Sequence, residues 1–332
     1  MKTRPSSLPC RQAGIVHRPS LKITTLATCY LLLATLLLGC QQPQLYKRSQ
    51  LLIGTTIEVT SIDSRAPEIV FARIKEIEKV FSKFDPDSQI YQLNKLGALQ
   101  VSKEVIDLIK KAKFFNQISE GAFDISVGPL VDIWKQAIKT QKLPAQSQID
   151  KARKLAGMDK ITIEEKNSTI RFKRKGMNID LGAIAKGYAV DVAIEALKKA
   201  GIKDALVSAG GDMYCLGTKV GEPWNIGIQH PRKPYEVIGY LKLANKAVAT
   251  SGDYEQFFIL DNKRYSHIID PKTGYPADKK VISVTVMAPD CLTADALATS
   301  IMVLGKEKGG ELAKKFKDVE VRILTNDDVG NN

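Results

Sequence analysis

The stretch "DLGAIAKGYAVD", residues 180–191, places a carboxylate, a lysine and two glycines at the mouth of a helix. The first turn of a helix offers unpaired N–H groups and a partial positive charge, so such a segment suits an anion, a phosphate above all. It is not a Walker A loop: Lys186 precedes its glycine, Gly187, and Tyr188 stands where that motif needs Ser or Thr. Read locally, Asp180 is a helix N-cap, a common structural duty. Lys186 is less readily explained that way, because a cation in a first turn opposes the helix dipole by roughly 0.3–1 kcal/mol and wants an anion nearby.

Three further stretches could carry chemistry. In "TADALAT" (293–299), Asp295 and Thr299 are four residues apart, which on a helix aims both oxygens at one point. A carboxylate and a hydroxyl suit a hard cation such as Mg²⁺, which keeps waters and shares substrate phosphate oxygens. The structural alternative is an Asp favoured by the dipole and a surface Thr. In "RYSHIIDPKTGYP" (264–276), Asp270, Pro271 and Gly274 spell a tight turn, and His267 just ahead of it is a residue that can relay a proton or simply pack. "GAFDISVGPLVDIW" (121–134) sets an acid among glycines and apolar residues, although turn and helix-start chemistry accounts for Gly128 and Pro129 without a ligand.

The elements that must position these residues follow from periodicity. A strand is expected over 51–62 and a helix over 67–84, with Ile69, Val70, Ile74, Ile77, Val80 and Phe81 at helical spacing until "DPDS" breaks it. Helices are expected at 102–119 and at 147–156, β-rich runs at 159–173, and a long helix from about 184 to 200 that stops at Gly201. Short β-runs fill 203–288, then a helix pair at 292–316 and a last strand, "VEVRIL". No 20–50-residue period repeats, which excludes a solenoid or propeller. Strands and helices do not alternate regularly, which favours an α+β fold with a largely antiparallel sheet core flanked by helices.

Among the 332 residues, 49 Lys plus Arg against 36 Asp plus Glu leave a charge of +13, part of it in Lys2, Arg4, Arg11, Arg18 and Lys22. These precede the apolar run "ITTLATCYLLLATLLLG" (23–39), the layout of a secretory signal, with a membrane helix as the alternative on length. Leu37-Leu38-Gly39-Cys40 resembles a bacterial lipobox. The expected organisation is a signal peptide over 1–39, a polar tether from lipidated Cys40 over 40–50, and one domain over 51–332. Past the signal only Cys40, Cys215 and Cys291 remain, so no disulfide framework is implied; the last two are expected as buried free thiols, with pairing the alternative. With only His230 and His267 beside them, a His/Cys zinc centre is not expected.

In this order, "FDPDSQIYQLN", "GAFDISVGPLV", "IDLGAIAKGYAVD", "ALVSAGGD", "SHIIDPKTGYP" and "TADALAT" together resemble the motifs of the ApbE family, the FAD:protein FMN transferases, over about residues 51–325. The resemblance implies an ApbE-like (T-fold-like) architecture. It implies an exported, often lipid-anchored enzyme that splits FAD with Mg²⁺, attaches FMN through phosphate to a Thr or Ser of a flavoprotein and releases AMP. Acceptors would be subunits of membrane redox complexes such as the sodium-pumping quinone reductase (Nqr) and the Rnf complex. By position, Asp180 and Lys186 would contact FAD, as would Ala122, Phe123 and Asp124; Asp295, Thr299 and the Ala183 carbonyl would hold the metal. Phe84 would stack on a cofactor ring, Ile269 would add backbone contact, and His267 would accept the proton of the attacking hydroxyl. An FAD pyrophosphatase releasing FMN and AMP, or a lipoprotein that binds flavin without catalysis, are the alternatives. The scattered basic residues suit anionic FAD and a membrane surface, and no nucleic-acid motif is present. The expected location is the periplasmic side of the cell inner membrane.

Overall fold

The structure, a computed structural model, describes residues 44–328; the signal segment, the lipobox and Cys40 lie outside the described residues. The chain enters through β1 (Tyr46–Leu52) and β2 (Thr55–Ser61), a hairpin turned at Ile53 and Gly54, whose φ values are 49° and 74°. One strand was expected over 51–62 and a tether up to 50; the hairpin instead begins at Tyr46. Its first strand is a sheet edge, mostly exposed, so its sequence is polar and lacks the alternation that marks a half-buried strand.

Strands β3 (Ala98–Gln100), β4 (Ile161–Glu164) and β5 (Thr169–Phe172) form a small sheet of their own, in the order β3-β5-β4. The hairpin opens a seven-stranded sheet that continues through β6 (Ala205–Ala209), β7 (Asp212–Leu216), β10 (Lys246–Gly252), β13 (Val281–Ala288) and β14 (Glu320–Thr325), in the order β1-β2-β6-β7-β10-β13-β14. Every neighbouring pair is antiparallel, as the α+β reading expects. Strand β13, "VISVTVMA", is buried at every position because both its faces are covered. One face meets helix α7 (Cys291–Leu304). The other contributes Met287 to a small cluster with Cys215, Val248 and the inner residues of the hairpin β8 (Trp224–Gln229) and β9 (Val237–Leu243).

Helix α1 (Ala66–Phe81) buries Val70, Phe71, Ile74, Ile77 and Phe81, the stripe read from its spacing, and packs on α6 (Ala185–Lys199). It stops at Phe81, short of the expected residue 84, because Ser82 turns extended. Ser88 then caps a further helix, α2 (Gln89–Leu96), accepting the Tyr91 N–H at 3.0 Å. Helix α3 (Lys103–Ile118), capped by Ser102, matches its expected span closely. Residues 121–134, which read as turn and helix start, lead into a full helix, α4 (Gly128–Thr140). Gly128 is needed there for close approach, since a Cβ would lie 1.6 Å from Asn178 Oδ1. Helix α4, α5 (Gln146–Arg153) and the hairpin β11 (Phe257–Leu260) and β12 (Lys263–Ser266) share a second core around Trp134.

Eleven of the fourteen residues of α7 are buried, so it lies inside the protein with no wet face. Small residues let α6 come close to it: a Cβ on Gly187 would meet the Cys291 carbonyl oxygen at 2.5 Å and Leu292 Cα at 2.8 Å. Cys291 and Cys215 are free and buried. No helix of the described residues is long and apolar enough to cross a membrane. Because the added methyl would strike backbone, Gly187→Ala is expected to destabilise the protein by about 1–3 kcal/mol; urea unfolding with an unchanged slope and a lowered midpoint is the measurement.

Candidate active site

The starts of α6 and α7 pack against each other. Helix α6 begins after Ile184, whose apolar side chain accepts nothing, so the N–H groups of its first turn need an acceptor from elsewhere. Asp295 supplies one from α7: its Oδ2 accepts the Gly187 N–H at 3.1 Å. In return, Asp191 on α6 accepts the Cys291 and Leu292 N–H groups of α7 at 2.7 and 2.9 Å. Asp290 completes that start as N-cap, accepting the Thr293 N–H at 2.8 Å.

Asp295 is only 3% exposed, and a carboxylate at that depth needs cationic company. Lys186 provides it. Its ammonium stands 3.5 Å from Asp295 Oδ1 and bonds directly to Oδ2 of Asp212, 2% exposed, at the start of β7. Burial pulls the Lys186 pKa down, but the Asp212, Asp295 and Glu255 carboxylates outweigh it and raise it, so the group stays an ammonium. Burial, with Asp295 beside it, pushes the Asp212 carboxyl up to about 7 against the pull of Lys186. One turn beyond Asp295 is Thr299, half-buried, with its Oγ1 3.4 Å from Ser251 Oγ on β10.

A second charged group surrounds Asp180. Its carboxylate accepts the Gly182 N–H at 2.8 Å and pairs with Lys83 at 2.7 Å and Lys135 at 3.5 Å. Burial works to raise its pKa; the two lysines outweigh it and hold the carboxyl below its ordinary value. Lys83 also bonds Asp132 at 2.9 Å. The Phe84 ring, 75% exposed, has the Lys83 and Lys135 ammoniums 5.4 and 5.9 Å from its centroid, so a large apolar face stands open beside two cations.

His267 feels both groups: its pKa is depressed by burial first, then by Lys186 and Lys135, with Asp180 opposing. Its Nδ1 is 3.3 Å from the Gln256 carbonyl oxygen. A carbonyl can only accept, so Nδ1 carries the proton and Nε2 keeps its lone pair. The turn after it is held by the Gly274 N–H to Asp270 carbonyl bond at 2.8 Å, and Trp134 Nε1 donates to the Gly274 carbonyl at 2.8 Å. Ile269 is buried against the Trp134 core, leaving only its backbone for a ligand.

The 122–124 segment is placed differently from what a side-chain contact needs. Ala122 and Phe123 are buried, Phe123 against Phe115, and the Phe123 N–H and carbonyl are already bonded to Ser119 and Asn116. Asp124 accepts from the Ser126 N–H and hydroxyl at 2.7 and 2.5 Å. The segment reaches the Asp180 loop through the Asp180 N–H to Ile125 carbonyl bond, 2.8 Å.

Asp295 and Thr299 lie one turn apart on α7, and Ala183 lies two residues before the start of α6, whose Gly187 N–H Asp295 accepts. The Ala183 carbonyl accepts no backbone hydrogen bond among the described residues and remains available. No cluster of three or more His, Cys, Asp or Glu side chains able to hold a metal occurs among the described residues. A cation held by Asp295, Thr299 and the Ala183 carbonyl would draw on one carboxylate, a hydroxyl, a carbonyl and its own waters or substrate. That all-oxygen, incomplete set fits Mg²⁺. Sequence reasoning passed over Asp212, Lys83, Lys135 and Asp191. Only Asp212 carried a signal, an acid directly after the glycine pair of "SAGGD".

Residues 53–323 match the model of the ApbE family. A Vibrio cholerae protein named FAD:protein FMN transferase is 34% identical over 316 residues, covering 89% of this chain and 93% of the relative. A Treponema pallidum protein of the same name is 34% identical, covering 84% of each. Among solved structures, the ApbE protein of Thermotoga maritima superposes with a TM-score of 0.78 at 35% identity, covering 86% of this chain and 95% of that one. The flavin transferase ApbE of Vibrio cholerae gives 0.76 at 32%, covering 85% and 94%. Matched by the family's model over residues 53–323 and sharing the family's fold at this identity, the chain belongs to the ApbE family.

Proposed function

We propose that the chain is a Mg²⁺-dependent FAD:protein FMN transferase, which moves the FMN half of FAD onto a Thr or Ser hydroxyl of a flavoprotein and releases AMP. Family membership and relatives named for this activity support an enzyme that transfers flavin. The observation that carries the rest is the buried Asp295 carboxylate, fixed by the Gly187 N–H and faced by Lys186, with the Thr299 hydroxyl one turn along.

Asp295, Thr299 and the Ala183 carbonyl would hold Mg²⁺, which when bound supplies positive charge for the diphosphate oxygens. Lys186, kept protonated by its carboxylates, adds a fixed cation for the same oxygens. The open Phe84 face stacks on a ring of FAD, and the Asp180 loop, with backbone of 122–124 and Ile269, lines the dinucleotide. The acceptor hydroxyl oxygen attacks the FMN phosphorus, the bond from that phosphorus to the AMP oxygen breaks, and AMP leaves with the electron pair. The hydroxyl proton passes to Nε2 of His267, the nitrogen with the free lone pair. What remains for the protein is a phosphoester-linked flavin. Acceptors are subunits of membrane redox complexes of the Nqr and Rnf type. The enzyme is exported and tethered through lipidated Cys40 on the periplasmic side of the inner membrane.

The direct test incubates the protein with FAD, Mg²⁺ and an acceptor subunit and weighs the acceptor. A gain equal to FMN less water is expected; free FMN with an unmodified acceptor would mean hydrolysis instead, and intact FAD would mean binding alone. Asp295→Ala or removal of divalent ions lowers transfer by about 100-fold or more, and undiminished transfer in metal-free buffer contradicts the reading. His267 accepts a proton only when neutral, so activity falls as pH drops through a pKa that lies below the ordinary histidine value of 6.5. His267→Ala costs about 10²–10⁴-fold and removes that acid limb from the rate profile. Cys40→Ala moves the protein from the membrane to the soluble fraction on cell fractionation; an unchanged distribution rules out the anchor.

A further inference from the structure

Asp212 has no part in the chemistry above, yet it is as deeply buried as Asp295 and closer to Lys186. Its position is built with care. The turn between β6 and β7 consists of Gly210 and Gly211, both at positive φ, 59° and 100°, and Asp212 pairs with Ala209 as the first residue after it. Gly210 has no room for a side chain, since a Cβ would lie 2.2 Å from Thr55 Oγ1. Among the described residues Lys186 is the only hydrogen-bond partner of the Asp212 carboxylate.

We propose that Asp212 is a positioning residue that draws the Lys186 ammonium toward β7 and thereby leaves the Asp295 carboxylate open to a divalent cation. The inference rests on the metal reading of the preceding subsection. Its basis is a competition between two cations for two carboxylates. Lys186 is tethered on α6 immediately before Gly187, whose N–H holds Asp295, so the ammonium is always within reach of that carboxylate. With Asp212 ionised, the ammonium bonds Asp212 and stands off from Asp295 at 3.5 Å. The two buried acids and one ammonium then carry one surplus negative charge, which at this depth is costly and attracts a further cation. With Asp212 replaced by a neutral group, Lys186 has one buried carboxylate left and closes on Asp295 as a neutral pair. A divalent ion must then displace a tethered ammonium before it binds. Glu255 also acts on Lys186 but is exposed, so water and salt screen it and it cannot replace Asp212.

The test is binding of Mn²⁺ alone to the mature protein, followed by the electron paramagnetic resonance of the free ion. Asp212→Asn is expected to weaken Mn²⁺ binding by about 10–100-fold, the usual effect of losing a group that orients a metal site from behind. Adding Lys186→Met to that variant removes the competing ammonium and restores binding to near the wild-type level. Unchanged binding in Asp212→Asn overturns the proposal. So does a double variant as weak as the single one, since Asp212 would then act on the metal directly or through the fold. Should Asp212→Asn fail to fold, Lys186→Met alone decides: Mn²⁺ binding at least as tight as wild type supports the competition, and weaker binding overturns it. A wild-type protein that binds no Mn²⁺ yet transfers flavin without added metal refutes the metal reading itself, and this inference with it.

Discussion

The site depends on one reciprocal contact, in which each of two helices lends a carboxylate to the other's unpaired N-terminal N–H groups. Asp295 of α7 serves Gly187 of α6, and Asp191 of α6 serves Cys291 and Leu292 of α7. A helix start buried without such a partner would leave donors unpaired at a cost of about 1–3 kcal/mol each. The exchange works only at very short range, and Gly187, with no Cβ to strike the Cys291 carbonyl, is what permits that range. The same contact brings Lys186 next to Asp295, so packing and electrostatics share one cause.

Helix α7 makes the arrangement more consequential. It is apolar on nearly every side, and Asp295 is the single charged group within it. A buried carboxylate there needs partners, and it has two: the Gly187 N–H and the nearby Lys186 ammonium. Lys83, Lys135 and Asp180 form a separate charged group beside the open Phe84 ring. The imidazole thus sits in a field dominated by cations, which with burial keeps it neutral. An anionic, partly aromatic dinucleotide suits a protein that offers an open aromatic face, lysines and an imidazole.

Much of this was legible beforehand, and the exceptions share a pattern. The helices α1, α3 and α6 were visible because they bury one stripe and wet the other, and Gly201 marked the end of α6 with its φ of 78°. Strand β1 was missed because an exposed edge carries no apolar alternation, and α2 because eight residues with two buried side chains give too little periodicity. Helix α4 was shortened to its first turn because its glycine and proline read as punctuation, whereas Gly128 is required by Asn178, fifty residues away in sequence. Phe123, placed against a ligand by resemblance, points into the core beside Phe115.

By itself the sequence determined the chemistry on offer: an acid and a hydroxyl one helical turn apart, a lysine and a glycine at a helix mouth, one histidine ahead of a tight turn. Those are local facts, set by residue type and by the 3.6-residue repeat. Which of them meet was decided only by the tertiary structure. Asp212 and Lys186 are 26 residues apart, and Gly187 and Asp295 are 108 apart. The second pairing needs Gly187, which lets backbone come closer than any side chain would allow, and the first needs the positive φ of Gly210 and Gly211, which turns the chain so that Asp212 begins β7 opposite Ala209. Such contacts leave no periodic trace in one sequence, because close approach depends on what the distant partner presents.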